Sequence, residues 1–258
     1  WIYMIKRHEL LRLSGDDFKE PQPQMIQSML SAGLSMGFMS SLINIGSLTL
    51  QTAINKLGQN IIVAHTAARK ISEMFMIMFT VFGQTMATYC GQNLGAGRID
   101  RIKKGIHQAF VIVLVQGVIF TTFCWIFGHP LIRWITSSND TYILDTAYRY
   151  LTRNTSFYFV LGPLFVLRCS LQGLEHKVIP VGSSILELVL KIVSTIWIVP
   201  VLGYTGVIYT EPIIWIFMTL MLIGGYVRAL KQINEAEHIK SARNAKAENE
   251  KINVDNRL

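Results

Sequence analysis

Glu187 and Lys191 stand four residues apart in a stretch, 178–201, that carries no other Asp, Glu, Lys or Arg. On a helix this spacing puts both side chains on one face. A carboxylate and an ammonium in apolar surroundings are costly unless they pair or face a wet cavity. The chemistry open to them is therefore an ion pair that ties helices together, or a site that binds or relays a small cation. Asn44, Gln51 and Gln84 lie deep in other apolar stretches, where amides bond across helices or line a polar path. Eight of the eleven methionines fall between Met25 and Met86, among them Met36, Met39 and Met78. Flexible thioethers repack around dissimilar ligands. These eight residues (Glu187, Lys191, Asn44, Gln51, Gln84, Met36, Met39 and Met78) are the candidates for a substrate or ion pathway. Glu73, after Arg69 and Lys70, reads as a locally paired residue near a helix end, and Glu211, just before Pro212, as the anchor of a helix start.

Nothing in the sequence suggests catalysis. The six histidines are scattered without ligand spacing, and the three cysteines lie in or beside apolar segments without a CxxC pair. They read as small buried hydrophobes, with no metal site or disulfide framework implied. The GAG of 95–97 follows a long apolar segment rather than a short strand, so it fails the context of a dinucleotide-binding turn.

The elements that must hold these residues are membrane-spanning. Charged residues make up 16% of the 258, against roughly 25% in an average soluble domain. Residues 21–55, 74–97 and 105–132 are free of Asp, Glu, Lys and Arg over 35, 24 and 28 positions. A spanning helix needs about 20 apolar residues, so an ordinary soluble enzyme is excluded. Six crossings are predicted, at about 25–54, 62–92, 104–134, 146–172, 178–201 and 206–228, with 1–24 before them and a charged tail, 229–258, behind. The gap around Arg98–Lys104, the pair His176–Lys177, the opening segment and the tail are basic, whereas NKLGQN, SSND and PVLGYTG are poor in cations. That alternation places both termini and the basic gaps in the cytoplasm. The net charge of +8 is thus a topology signal and not a nucleic-acid footprint. Gly95 and Gly97 suit a helix end, Asp100 a following N-cap, and the GHP of 128–130 a kink. The tail, with seven positive and five negative residues from Arg228 on, reads as a solvated or irregular extension.

The stretch GQTMATYCGQNLGAGRIDRIKKG at 83–105 resembles the multidrug and toxic compound extrusion (MATE) family of transporters, through Gly91, Gln92, Asn93, Gly95, Gly97 and Arg98. INKLGQNIIVAHTAARKI at 54–71, the helix at 33–58 and GYTGVIYTEPIIW at 203–215 are similar to the family's segments in the family's order. The resemblance implies an all-α membrane protein whose six transmembrane helices form the second lobe of a two-lobe, twelve-helix exporter. Trp1–Ile5 would then end the preceding helix, 6–24 would link the lobes, and the first lobe would be missing. Such transporters sit in the plasma (inner) membrane and exchange Na⁺ or H⁺ for amphipathic, often cationic, compounds, with no other cofactor. The coupling carboxylates that some branches hold in the seventh and tenth helices have no counterpart at 35–52 or 157–167. Two other readings are a lipid-linked oligosaccharide flippase of the same superfamily and an inactive membrane fragment.

Overall fold

The computed structural model describes residues 23–255, with the side chains of 23 and 26–235. The expected helix end at 1–5 and most of the inter-lobe link lie outside the described residues. Every described element is helical: α1 (Pro23–Asn55), α2 (Gln59–Gly95), α3 (Ile99–Thr136), α4 (Thr141–Thr155), α5 (Tyr158–Gly173), α6 (Val178–Val193), α7 (Val199–Leu202) and α8 (Tyr204–Asp255). The chain divides into two compact units. The first takes α1 up to Phe38, and the second runs from Met39 onward.

The six predicted crossings correspond to α1, α2, α3, α4 with α5, α6 with α7, and α8. Four of them are long and apolar enough to cross a bilayer on their own: Ile26–Asn55, Ile99–Thr136, Val178–Leu202 and Tyr204–Glu235. The fourth crossing is broken. The run Thr152–Ser156 is polar, and its hydroxyls bond backward to the backbone, as in Thr152 Oγ1 to Tyr148 O at 2.7 Å and Thr155 Oγ1 to Leu151 O at 2.8 Å. Such bonds compete with helix continuation. Thr121 of α3 donates to the carbonyl of Thr155 at 2.7 Å, satisfying it at the break. Between α6 and α7 the chain makes a π-turn, Ser194–Ile198.

Within the second unit α2 is the hub, packed against α3, α4 and α5. The α2–α5 crossing is close because both helices present small residues. A Cβ on Gly173 would overlap the backbone of Ala87, and one on Gly83 would meet Cys169 Sγ at 2.9 Å. The main core joins Phe79, Val113, Tyr158, Leu164, Ile214 and Met218, which come from α2, α3, α5 and α8.

Local geometry corrects several expectations. Gly97 takes the predicted positive φ (68°), but Gly95 is still the last residue of α2. Arg98 holds the N-cap position of α3 and Asp100 lies inside its first turn, where a carboxylate suits the helix dipole. The α3 helix runs through Pro130 to Thr136. The last helix starts at Tyr204, so Pro212 lies in its interior, and Glu211 is a mid-helix residue rather than the anchor of a start. That helix also continues through the charged tail to Asp255, where composition predicts an irregular extension.

Candidate functional site

The i, i+4 pair forms as expected. Lys191 Nζ lies 3.0 Å from Glu187 Oε1, and both residues are buried, at 4% and 7% exposure. The pair is part of a longer chain of charges. Arg168 of α5, also buried, approaches Glu187 Oε2 at 3.4 Å and Ser183 Oγ at 3.3 Å. Lys191 Nζ donates to Ser47 Oγ of α1 at 3.1 Å and stands 3.8 Å from Glu211 Oε1. Arg69 of α2 reaches the same Glu211 oxygen at 3.8 Å and grips Glu73, one turn on, at 2.8 Å. Tyr150 of α4 faces Glu211 Oε2 at 3.5 Å. The buried imidazole of His65 packs edge-on against Tyr150, with ring centroids 4.7 Å apart, and its Nδ1 sits 3.4 Å from the hydroxyl of Tyr204.

Helix positions give the network a direction. Arg69 and Glu211 lie near the end of the lobe that carries the Gly58 and Gly203 turns; Glu211 is eight residues past Gly203, about 12 Å along the axis. Arg168 lies near the opposite end, six residues before the Leu174 turn, or about 9 Å. Lys191 and Glu187 connect the two. The result is a ladder of alternating sign, Arg69–Glu211–Lys191–Glu187–Arg168, running through the middle of the lobe between the two sets of turns. The small Gly46 of α1 makes room for it, since a Cβ there would come within 3.0 Å of the Lys191 side chain. The ladder holds three cations and two carboxylates. Glu73 offsets Arg69 from outside, with a side chain 56% exposed.

The other pathway candidates do not join it. Asn44 and Gln84 lie on exposed faces, and Gln51 donates to Asn55 of its own helix at 2.9 Å. Met39 is buried, with its sulfur 3.4 Å from Gln172 Nε2 of α5. Met36 and Met78 are exposed, in different helices. The glycine-rich motif closes a turn rather than a site. Arg98 N–H donates to Asn93 O at 2.8 Å and Gly97 N–H to Leu94 O at 3.0 Å, while buried Asn93 donates its amide to Tyr89 O at 2.8 Å. Gly91 is half-buried against Gly173, and Gln92 and Arg98 are exposed.

Sequence reading missed Glu211, Arg69, Tyr150 and Arg168 as members of the network. Arg69 and Glu73 do carry the i, i+4 signal. Glu211 was legible only with the last helix begun at the GYTG turn, which would have put its carboxylate two turns inside an apolar span.

Comparison with known proteins agrees with this architecture. Over 186 residues the chain is 17% identical to the "Probable multidrug resistance protein YoeA" of Bacillus subtilis (strain 168), covering 71% of this chain and 40% of that protein. A solved structure of a MATE protein in complex with MaD3S superposes with a TM-score of 0.75 at 16% identity, over 90% of this chain and 51% of that one. The outward-facing conformation of a multidrug resistance MATE family transporter of the MOP superfamily gives 0.70 at 18% identity, over 90% and 52%. The chain thus spans two fifths to about half the length of these relatives, and its fold is that of one lobe of such transporters. The MatE family model matches residues 35–197, more than half of the sequence, and the chain belongs to that family of membrane proteins.

Proposed function

We propose that this chain supplies the second six-helix lobe of a secondary active exporter, a transporter and not an enzyme, that moves amphipathic or cationic compounds out of the cell in exchange for a cation. It works by alternating access with a first lobe, in the plasma (inner) membrane, with both termini in the cytoplasm. The observation that carries this reading is the buried ladder from Arg69 to Arg168. Ionisable groups inside a bilayer are expensive and mark ion paths or relays. A packed core does not need five of them in sequence through its middle. Their count bears on the coupling ion. With three cations and two carboxylates, the ladder has no surplus negative charge to hold Na⁺, whereas a proton needs only one carboxylate, Glu187 or Glu211, freed from its cation. H⁺ is therefore the favoured coupling ion for this lobe.

The flippase reading, which needs several free basic residues for a pyrophosphate, is not favoured, because Lys191 and Arg168 are both engaged by Glu187. The deciding experiment places the two-lobe protein in proteoliposomes and follows a cationic dye. An imposed pH gradient without Na⁺ should drive transport, and Glu211→Gln should abolish it. Transport driven only by a Na⁺ gradient would overturn the ion assignment, and no dye movement under either gradient would overturn export.

A further inference from the structure

The surface of α3 changes character along a single line. Stepping by three or four residues, Arg101, Lys104, Gln108, Val111, Val115 and Val118 follow one face of the helix. All six are exposed, as is Arg98 at the head of the line. Among the described residues Arg98, Arg101 and Lys104 make no ion pair, whereas every cation of the ladder is paired. Asp100, one turn before Lys104, is exposed and likewise unpaired, so three cations and one carboxylate leave this patch a net charge of +2. Lys103 is turned the other way and donates to Asn234 of α8 at 3.1 Å.

The patch stands on a fixed turn. Arg98 N–H donates to Asn93 O at 2.8 Å, and the hydroxyl of half-buried Tyr89 donates to Arg101 O at 3.0 Å. The Tyr89 ring lies against Gly105, where a Cβ would overlap it. A tyrosine beside cations at the end of an apolar span marks the membrane interface. From Lys104 to Val118 is fourteen residues, or about 21 Å along the axis. One leaflet, half of a bilayer of about 40–45 Å, has the same depth. The cations therefore stand at the level of the head groups and the valines alongside the acyl chains. Beside that line, Val115 and Ile119 form a groove of about 650 Å³ with Met78 and Phe82 of α2.

Membrane orientation alone asks for cations in this turn, at any angle round the helix. It does not ask for two of them to head the exposed apolar line. An amphiphile with an anionic head and a long apolar tail matches that line along its whole length. An inorganic anion would leave the valines uncovered, and a zwitterionic lipid would bring its own cation to the arginines. We infer that the α2–α3 face binds an anionic phospholipid, with its phosphate and head group at Arg98, Arg101 and Lys104 and one acyl chain along Val111, Val115 and Val118. The site is distinct from the ladder and does not depend on the exporter reading.

The test titrates the full-length, two-lobe protein in detergent with dioleoylphosphatidylglycerol or dioleoylphosphatidylcholine and counts bound lipid by native mass spectrometry. Phosphatidylglycerol should fill one site at least about 10-fold more tightly than phosphatidylcholine, as expected for a patch of net positive charge. Each cation near a head group is worth about 5-fold, so Arg101→Gln with Lys104→Gln should weaken that binding by about 30-fold. Arg101→Gln alone, with about a 5-fold loss, serves if the double variant is not recovered. Arg228→Gln with Lys231→Gln removes two exposed cations from α8 at the same end of the lobe and should leave the binding unchanged. Dihexanoylphosphatidylglycerol, with the same head and short tails, should bind more weakly, and inorganic phosphate should not compete. Equal affinity for the two dioleoyl lipids would overturn the proposal. Wild-type affinity in the α3 variants would mean that the first lobe covers this face or that the lipid sits elsewhere, and the proposal falls. It also falls if the α8 variant loses as much, since the attraction is then diffuse, or if inorganic phosphate displaces the lipid, since the patch then holds an anion only.

Discussion

At the scale of single residues, the ladder ranks its own members. Taking Lys191 away leaves two matched pairs, Arg168 with Glu187 and Arg69 with Glu211. Taking Glu187 away leaves Arg168 with only Ser183 and puts two cations at its vacated place. Removing one partner of a buried pair typically costs about 3–5 kcal/mol, whereas balanced replacement is close to neutral. Lys191→Met should therefore lower thermal stability least, by about 1 kcal/mol or less, and Glu187→Gln most, by about 3 kcal/mol or more, as read from unfolding of the purified protein in detergent. Adding Lys191→Met to Glu187→Gln should rescue little, because Arg168 stays unmatched. Full rescue in that double variant would show that Glu187 and Lys191 form an isolated pair. The sequence makes that pair legible through its spacing. It could not show that Arg168, Arg69 and Glu211, 19 to 118 positions from Glu187, converge on it, since convergence is a property of packing between helices.

At the scale of elements, the tightest constraint is the α2–α5 crossing. Gly173 faces the Ala87 backbone, which cannot yield as a side-chain tip would. Gly173→Ala should destabilise the lobe by about 1–3 kcal/mol, the usual cost of overpacking, and Gly224→Ala, where a Cβ meets open space, should cost nothing measurable. Equal effects in thermal unfolding would contradict the close crossing. Three of the helical rods were plain from charge-free length, and the other three from apolar runs set between charged or turn-rich gaps. Their inner events were not. The fourth rod breaks at Ser156 and Phe157 without Gly or Pro at the break, because hydroxyl-to-backbone bonds and a carbonyl bond from Thr121 make the interruption tolerable. The start of α8 was misplaced because Pro212 looks like a first-turn proline, while the Gly203 turn nine residues earlier (φ 57°) is the real boundary.

At the scale of the whole molecule, the alternation of basic and cation-poor turns fixes an expected orientation. Arg98, exposed at the start of α3, should face the cytoplasm, while Gly58 and Asn139, also exposed, should face outward. Single cysteines at these positions, in a background without Cys90, Cys124 and Cys169, test it. An impermeant maleimide added to intact cells should label Gly58→Cys and Asn139→Cys, and should label Arg98→Cys only after lysis. Labelling of Arg98→Cys in intact cells would invert the lobe. The native cysteines are buried or half-buried, so their replacement removes little surface chemistry.

The uneven apolarity of the rods bears on how the lobe is made. The four helices that pass as self-sufficient spans flank two that do not: α2, which carries Arg69, Lys70 and Glu73, and the broken α4–α5 pair. During synthesis the translocon meets α2 right after α1 and before α3, when none of the residues that neutralise Arg69 from α8 yet exists. Insertion of α2 must then lean on α1 and α3 as temporary neighbours, with Glu73 as its only early counter-charge. In a glycosylation-reporter assay, α2 presented alone should insert poorly and α1–α2–α3 together efficiently. Glu73→Gln should lower the efficiency of α2 in that three-helix context, even though its side chain is mostly exposed in the finished lobe. Efficient insertion of α2 alone would show that its charges are no obstacle to entry.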